Sequence, residues 1–336
     1  MLFYQLGGSL INWYRIGDYE KKLTAINIII GGRGIGKTYS ALDYIVGSGK
    51  PFIYMRNTDV QLKESITSFG NPFKRWNTDH DRNIYFHSEK SHALIYEEKD
   101  DEITQPIGYG LALSTFENLR GVDLSDVKLV LFDEFIEKRT LSFKQFESFV
   151  SFYETVNRNR ELLGEDPLKV ILLSNSQSLN NPILAGYGLI PVIESMIRSG
   201  QKEYKKPGLW LNLPESEVSE AKRATANYQL INGSKIADEA LSNKFAFDSF
   251  YGIKKVKLSE YNPVLQIDDI YIYKHKSSGI LYACSSQAQN VPMFSSRDNL
   301  TAFLRSYGRK LMDAASQGKL EYADFVTKSK LLAIIF

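Results

Sequence analysis

The strongest chemical signal in the sequence is the run Gly31-Gly32-Arg33-Gly34-Ile35-Gly36-Lys37-Thr38. Its glycines allow backbone N–H groups to turn inward and approach phosphate oxygens closely. Lys37 would bring a point charge to the β- and γ-phosphates, and the Thr38 hydroxyl would face Mg²⁺. Because the run matches the pattern G-x-x-x-x-G-K-[ST], we predict that residues 31–38 bind a nucleoside triphosphate and Mg²⁺.

A pair of acidic residues forms the second signal. The apolar segment 127–132 ends in Asp133 and Glu134. A carboxylate at the end of a buried strand can hold Mg²⁺, directly or through water, and we assign this role to Asp133. A second carboxylate can polarise an attacking water, so Glu134 is the expected catalytic group of a hydrolase. The alternative is an acid pair that caps a helix or faces solvent.

The sequence lacks the motif that recognises guanine, and this indicates which nucleotide binds. A GTPase would need the sequence NKxD to recognise guanine, and the nearest string, Asn243-Lys244-Phe245-Ala246, lacks its aspartate. The triphosphate is therefore expected to be ATP.

Four further side chains are candidates for contact with the nucleotide. Asn175 follows the apolar segment 170–173, where a polar group can reach the γ-phosphate, the attacking water or Mg²⁺; the alternative is a turn residue that caps the next segment. Arg158 and Arg160 end a segment with helical spacing and could supply transition-state charge to a neighbouring subunit. They could also be cations that favour a helix C-terminus. Arg56 follows a predicted strand, and a surface role suits it equally well.

These residues need a sheet to bring them together. Short apolar runs of the kind found in parallel sheets alternate with helical periodicity in the first 190 residues. We predict strands at 26–30, 51–55, 110–114, 127–132 and 170–173, and helices at 38–46 and 142–163. Residues 84–86 and 93–96 are predicted to form a small hairpin or meander. The fold class is therefore α/β, a P-loop NTPase fold of the RecA/ASCE type with a parallel sheet flanked by helices.

Composition narrows the class of protein. The 336 residues are 43% hydrophobic and include 42 aromatic residues (19 Phe, 20 Tyr and 3 Trp), which is typical of a globular chain and excludes a disordered one. No apolar run approaches the roughly 20 residues of a membrane helix, and the N-terminus has no secretion signal. A single cysteine, Cys284, fits a reducing cytoplasm, and the four histidines lack metal-ligand spacing.

Charge is divided unevenly along the chain. Residues 1–200 hold 22 Lys and Arg against 25 Asp and Glu, a net charge of −3, whereas residues 201–336 hold 19 against 14, a net charge of +5. We predict a domain at 1–200, a connecting helical region at 201–247 and a small α+β domain at 248–336, with a hairpin from 267–273 and 280–284 and helices near 299–317. The basic excess favours a polyanionic partner for the last domain, although ordinary scatter would also produce it.

Four strings in this order and at this spacing resemble the genome-packaging, terminase-like ATPases of small short-tailed phages with double-stranded DNA. They are GGRGIGKT, VLFDEF, ETVNRNRE and LLSNS. The resemblance covers nearly the full chain and is most specific over residues 26–180; the stretches 114–121 and 241–245 also look familial. It implies that Lys37 and Thr38 are Walker A residues, that Asp133 and Glu134 are the Walker B pair, that Arg158, with Arg160 in reserve, acts in trans, and that Arg33 is a basic residue of the nucleotide loop.

The resemblance also implies partners. Members of that family form a homomeric ring, expected to be a pentamer, on the portal (connector) of the procapsid in the host cytoplasm, and they pump viral double-stranded DNA inward using ATP. Whether a packaging RNA is a further partner stays open. The C-terminal domain would be a degenerate RNase H fold without nuclease activity; Asp268 or Asp269 could still mimic a metal ligand. Lys254, Lys255, Lys257, Lys274 and Lys276 would contact phosphates or, alternatively, protect a strand edge.

Two other classes of function stay open at this stage. An assembly or secretion ATPase acting on protein during phage morphogenesis would share the nucleotide loop but would need no basic C-terminal surface. A P-loop kinase would not use Glu134 as a catalytic acid.

Overall fold

The structure is a computed structural model of the protein. The structure describes residues 5–6, 9–10, 12–99, 102–103, 105–119, 123–136, 144–176, 178–179, 181–215, 217–230 and 252–335. Contacts divide the chain into two units, Met1–Gly186 with Val192–Phe247 and Tyr187–Pro191 with Asp248–Phe336. The predicted familial stretch 241–245 and the end of 114–121 lie outside the described residues.

The described residues form seventeen strands. In chain order these are β1 (Gln5–Leu6), β2 (Ser9–Leu10), β3 (Ile26–Gly31), β4 (Phe52–Arg56), β5 (Asn83–Ser88), β6 (Ala93–Lys99), β7 (Glu102–Ile103), β8 (Gly108–Ala112), β9 (Leu129–Asp133), β10 (Lys169–Asn175), β11 (Glu203–Lys206), β12 (Leu209–Asn212), β13 (Tyr261–Ile267), β14 (Ile270–His275), β15 (Leu281–Cys284), β16 (Met293–Phe294) and β17 (Leu320–Tyr322).

The same residues form eleven α-helices. They are α1 (Lys37–Gly47), α2 (Asp59–Ile66), α3 (Lys74–His80), α4 (Lys144–Asn157), α5 (Pro182–Gly186), α6 (Ile190–Ser199), α7 (Glu217–Arg223), α8 (Ala226–Leu230), α9 (Leu300–Phe303), α10 (Arg309–Ser316) and α11 (Phe325–Ile335). Short 3₁₀ turns lie at Ile16–Lys22, Leu113–Leu119, Arg160–Leu163 and Leu258–Glu260, and a π-helical turn, Leu304–Gly308, joins α9 to α10. No helix among these residues is long and apolar enough to cross a membrane.

The sheet of the first unit has the order β11-β12-β3-β10-β9-β4-β8-β6-β5, with β7 paired to β6. From β12 to β8 neighbouring strands are parallel, and the strands at either end are antiparallel. The central strands are buried on both faces because their sequences are almost entirely apolar, as residues 26–30, in which only Asn27 is polar, and residues 129–132 show. The predicted α/β class is confirmed, and β10 lies between the strand before the glycine-rich loop and the strand that ends in Asp133.

The hairpin of β11 and β12 corrects the predicted boundary of the first domain. We expected a connecting region from residue 201, but β12 pairs in parallel with β3 and extends the first sheet. All four β12 residues are buried, and the ring of Trp210 lies 5.3 Å from that of Tyr19. A short strand buried on both faces gives no alternating pattern, so its sequence did not distinguish it from a loop.

The predicted helix at 142–163 is shorter than expected. It ends at Asn157, because Arg158 and Asn159 both adopt left-handed backbone conformations with φ of 48° and 57°. The Asn157 side chain stabilises this end by donating to Glu161 and accepting from the backbone N–H of Leu168, at 3.0 and 2.8 Å.

The second unit is the expected α+β fold. Strands β13, β14 and β15 form an antiparallel meander, and β16 and β17 add in parallel at its two edges. Apolar side chains of the helices, such as Phe303 and Leu331, pack with Leu265 and Ile272 in the core of this unit. The segment 267–273 is not one strand as expected: Asp268 has a φ of 49°, so the chain turns at Asp268-Asp269 between β13 and β14.

Candidate nucleotide site

The glycine-rich loop connects β3 to α1, as the sequence predicted. Gly34 and Gly36 have φ of 68° and 97°, conformations that L side chains rarely adopt, and Gly36 directly precedes the first helical residue, Lys37. The loop therefore lies at the N-terminus of α1, where free N–H groups and the helix dipole favour an anion. Within it, Ile35 is buried and Arg33 is exposed.

Lys37 is held inside the loop. Its ammonium donates to the carbonyls of Gly31 and Gly32, at 3.0 and 2.7 Å, and to Oδ1 of Asn175, at 3.1 Å. Only 7% of Lys37 is exposed, and burial lowers its pKa to about 8 even though the charge of Asp133 opposes the shift. Asn175 thus lies beside the lysine, because β10 places it in register with Gly31.

The Asp133 carboxylate lies at the same edge of the sheet. It accepts a hydrogen bond from the Thr38 hydroxyl at 3.1 Å and one from the Tyr54 hydroxyl at 3.4 Å. Burial raises the pKa of Asp133, and the nearby guanidinium of Arg56 opposes that shift. A carboxylate and a hydroxyl in contact are oxygen donors of the kind Mg²⁺ prefers, so Thr38 and Asp133 fit the metal predicted for them.

Glu134 has an unusual backbone and an engaged side chain. Its φ is 55°, a left-handed conformation that costs a non-glycine residue roughly 1–3 kcal/mol. The carboxylate is half exposed and forms an ion pair with Arg56 at 2.8 Å. Arg56 also lies 3.7 Å from Asp133. The sequence left the role of Arg56 open, and the structure places it between the carboxylates of Asp133 and Glu134.

A second lysine contacts the loop from its outer side. Lys222 of α7 donates to the carbonyls of Arg33 and Gly34, at 2.7 and 3.4 Å. Gly34 permits this approach, since a Cβ atom there would collide with the lysine ammonium. Burial lowers the pKa of Lys222, and the charge of Arg33 adds to this effect. Sequence analysis missed Lys222, because it lies 189 positions from Arg33 and no local pattern connects the two.

The two candidate arginines have different environments. Arg158 is half exposed, and its guanidinium lies 3.2 Å from the Asp123 carboxylate, so it is accessible from solvent. Arg160 is only 4% exposed and donates to the carbonyls of Ser125 and Val127, at 2.9 and 2.7 Å. Reaching a neighbouring subunit would break both bonds and expose the carbonyls, so these contacts favour Arg158 over Arg160 for the predicted trans role.

The acidic and basic residues that the sequence singled out in the second unit bond to other groups or are exposed. Asp268 accepts from the backbone N–H of Ser296 at 2.9 Å, and Asp269 forms an ion pair with Lys330 at 2.7 Å. Among the residues that the structure describes, no three Asp, Glu, His or Cys residues are grouped to hold a metal. The predicted phosphate contacts are all exposed; they are Lys254, Lys255, Lys257, Lys274 and Lys276.

Comparison with known proteins gives consistent matches. A model of the podovirus DNA encapsidation protein (Gp16) family matches residues 12–292. The DNA packaging proteins of Bacillus phages B103 and phi29 are 28% and 25% identical to the chain; the alignments cover 68% of this chain and about two thirds of each relative, 67% and 65%. The solved bacteriophage Phi-29 viral genome packaging motor assembly matches 96% of this chain and 99% of its own, with a TM-score of 0.64 and 19% identity. At that identity the structural match shows a shared fold.

Proposed function

Because the chain belongs to the podovirus DNA encapsidation protein family, we propose that it is the ATPase of a motor that moves viral double-stranded DNA into a procapsid. The observation that carries this proposal is the convergence of Lys37, Asp133 and Glu134 at one edge of the parallel sheet. A phosphate-binding lysine, a metal-binding acid and a second, solvent-accessible acid together form the machinery of triphosphate hydrolysis.

Each residue has a separate task in hydrolysis. Backbone N–H groups of residues 31–36 and the N-terminus of α1 bind the phosphates, and Lys37 exchanges its carbonyl partners for phosphate oxygens. Thr38 and Asp133 would hold Mg²⁺, which neutralises charge on the phosphates when bound. Glu134 must leave Arg56 to orient and polarise the attacking water. Asn175 bonds Lys37 and thereby lies close to the γ-phosphate.

Arg158 is proposed to complete the active site of a neighbouring subunit. Its exposure and its weak hold on the exposed Asp123 leave it free to move. We expect Arg158→Ala subunits and Lys37→Ala subunits each to be inactive alone in DNA-stimulated hydrolysis, and to recover activity in part when mixed. Recovery arises where an intact loop faces an intact arginine, and turnover is measured across a series of mixing ratios.

The control for mixing is a subunit that carries both substitutions. It has no intact arginine to offer, so adding it to Arg158→Ala subunits should restore nothing. If no ratio of the two single variants restores turnover, Arg158 does not act in trans.

The second unit is proposed to contact the DNA backbone. The lysines proposed for this contact occur on two segments, 254–257 and 274–276. The turn that follows the first segment contacts the second, since Lys276 donates its backbone N–H to Glu260 and its ammonium to Ser259, at 3.0 and 2.7 Å. A cluster of exposed ammonium groups attracts phosphates without reading sequence. A modest positive net charge in this part of the chain suits a motor that must both hold and release DNA.

We expect double-stranded DNA to stimulate ATP turnover, and the stimulation to weaken with salt because phosphate contacts release counterions. Replacing Lys255, Lys257 and Lys274 by alanine should reduce both the stimulation and its salt dependence. The matched control replaces Arg309 and Lys310, which are exposed on α10 of the same unit. If DNA has no effect at low salt, packaging is excluded and an assembly ATPase that acts on protein is favoured.

The proposal extends to the assembly that the chain would join. Family membership supports a homomeric ring, in our proposal a pentamer, docked on the procapsid portal in the host cytoplasm. A packaging RNA is an additional candidate partner at that junction, and counting subunits and RNA copies in purified motors would test both points.

A further inference from the structure

Three buried side-chain amides surround the peptide groups that follow Asp133. They belong to Asn57, Gln145 and Asn181, whose exposed fractions are 3%, 8% and 3%. Asn57 follows β4, Gln145 lies in the first turn of α4, and Asn181 directly precedes α5. Three separate elements thus place an amide at the same point of the core, and we call this group the amide chain.

The amide chain bonds in one direction. Asn181 accepts from the backbone N–H groups of Ile183 and Leu184 at the start of α5, at 3.0 and 3.2 Å. It donates to Oε1 of Gln145 at 3.3 Å, and Gln145 donates to Oδ1 of Asn57 at 2.6 Å. Each amide oxygen therefore accepts a bond while the adjoining NH₂ group donates the next one.

The amide chain ends at the backbone carbonyls of Glu134 and Phe135. Asn57 donates to the Glu134 carbonyl at 2.9 Å, while Gln145 and Asn181 both donate to the Phe135 carbonyl at 3.2 Å. The backbone N–H of Phe135 donates to Leu173 at 3.1 Å, and its side chain is fully buried. The left-handed residue Glu134 is therefore fixed on its C-terminal side by four hydrogen bonds, while only its side chain is exposed to the site.

From this arrangement we propose that Asn57, Gln145 and Asn181 are positioning residues that hold the strained Glu134 peptide, so that its carboxylate reaches the attacking water once it leaves Arg56. The inference rests on the proposed ATPase function and adds the residues that set its catalytic geometry. A non-glycine residue in a left-handed conformation relaxes unless its surroundings fix it. None of the three amides contacts the nucleotide loop in any hydrogen bond found among the described residues, so they act through Glu134.

The amide chain also connects Glu134 to the proposed trans arginine. Gln145 lies in the first turn of α4, and Arg158 directly follows the last residue of that helix. A helix of 14 residues is a rigid rod of about 21 Å. A displacement of α4 by a neighbouring subunit would therefore move Gln145 and, through it, the Glu134 peptide.

The test compares hydrolysis by Asn57→Ala and Gln145→Met in the full chain with double-stranded DNA. Gln145→Met removes the amide but keeps the side-chain volume, so it leaves no cavity at this position. We expect kcat to fall at least about tenfold while KM for ATP stays within about twofold, because binding does not depend on Glu134. In a Glu134→Gln background the same substitutions should change the residual rate by less than about twofold, since the group that they position is already inactive.

Asn27→Ala is the matched control. Asn27 is a fully buried amide of the same sheet that bonds both backbone groups of Thr24 at 2.7 Å and the Val170 carbonyl at 3.1 Å, at the opposite edge from the site. It should lower the melting temperature and leave kcat unchanged. Equal losses of kcat with Asn27→Ala, or losses that add to that of Glu134→Gln, would overturn the inference. An inactive wild-type protein would instead refute the proposed function.

Discussion

Replacing Glu134 by glutamine is expected to give a protein that binds ATP and hardly hydrolyses it. Glutamine keeps the size of the side chain but cannot accept a proton from water, and general-base catalysis contributes roughly 10²–10⁴-fold to rate. Affinity should change little, because Lys37 and the backbone of the loop are the proposed phosphate contacts. Single-turnover hydrolysis and equilibrium binding of ATP, measured on the same preparation, separate the two effects.

Glu165→Gln is the control for this substitution. Glu165 is 52% exposed and forms an ion pair with Lys128, much as Glu134 is 54% exposed and pairs with Arg56. The control should retain wild-type turnover, because it removes a comparable surface charge away from the site. Turnover by Glu134→Gln within about threefold of wild type would exclude Glu134 as the group that activates water.

The parts of the fold that the sequence predicted are those in which local pattern and buried environment agree. Residues 26–30 and 170–173 are apolar runs bounded by glycine or polar residues, and the structure has strands there. The helix after Lys37 follows from its apolar periodicity, since Ala41, Leu42 and Ile45 are buried. A phosphate-binding loop is equally local, because eight consecutive residues determine it.

Features that depend on distant residues were not predictable. Arg158 and Arg160 are two arginines only two positions apart. The chain turns at Arg158 and Asn159, which are both left-handed, and this turn leaves Arg158 exposed and buries Arg160. The segment 267–273 alternates like a strand, yet Asp268 tolerates a positive φ and allows a turn. Lys222 and the amide chain come from elements far apart in sequence, so no local signal marked their contacts with the loop or with Glu134.

The left-handed backbone of Glu134 changes the direction of the chain where β9 ends. The strand that ends at Asp133 would, if it continued regularly, point alternate side chains to opposite faces of the sheet. A left-handed Glu134 interrupts this alternation and returns Phe135 to the core beside β10. Asp133 is buried against Thr38 at the end of the strand, and the next residue, Glu134, has its side chain half exposed toward solvent.

Lys37 gives the other prediction with a large effect, in both affinity and pH dependence. Its loss removes charge-assisted bonds to two phosphates, so Lys37→Ala should weaken ATP binding at least about 100-fold, or about 2.7 kcal/mol. Burial lowers the pKa of Lys37 to about 8 in the free site, where Asp133, Lys222 and Glu134 are the nearby charges. A bound triphosphate favours the protonated amine and raises that pKa.

The sign of the pH effect follows from this linkage. Below pH 8 the amine is already charged, so wild-type affinity should be flat; above pH 8 binding must take up a proton, and affinity should fall by up to about tenfold per pH unit. Equilibrium binding of ATP and Mg²⁺ between pH 7 and 9.5 measures the profile. Lys37→Ala should lose this decline, and Lys222→Ala should retain it, since Lys222 bonds the outer side of the loop. A flat wild-type profile would show that Lys37 keeps its proton in the free site, and a decline abolished by Lys222→Ala would assign the titration to that residue instead.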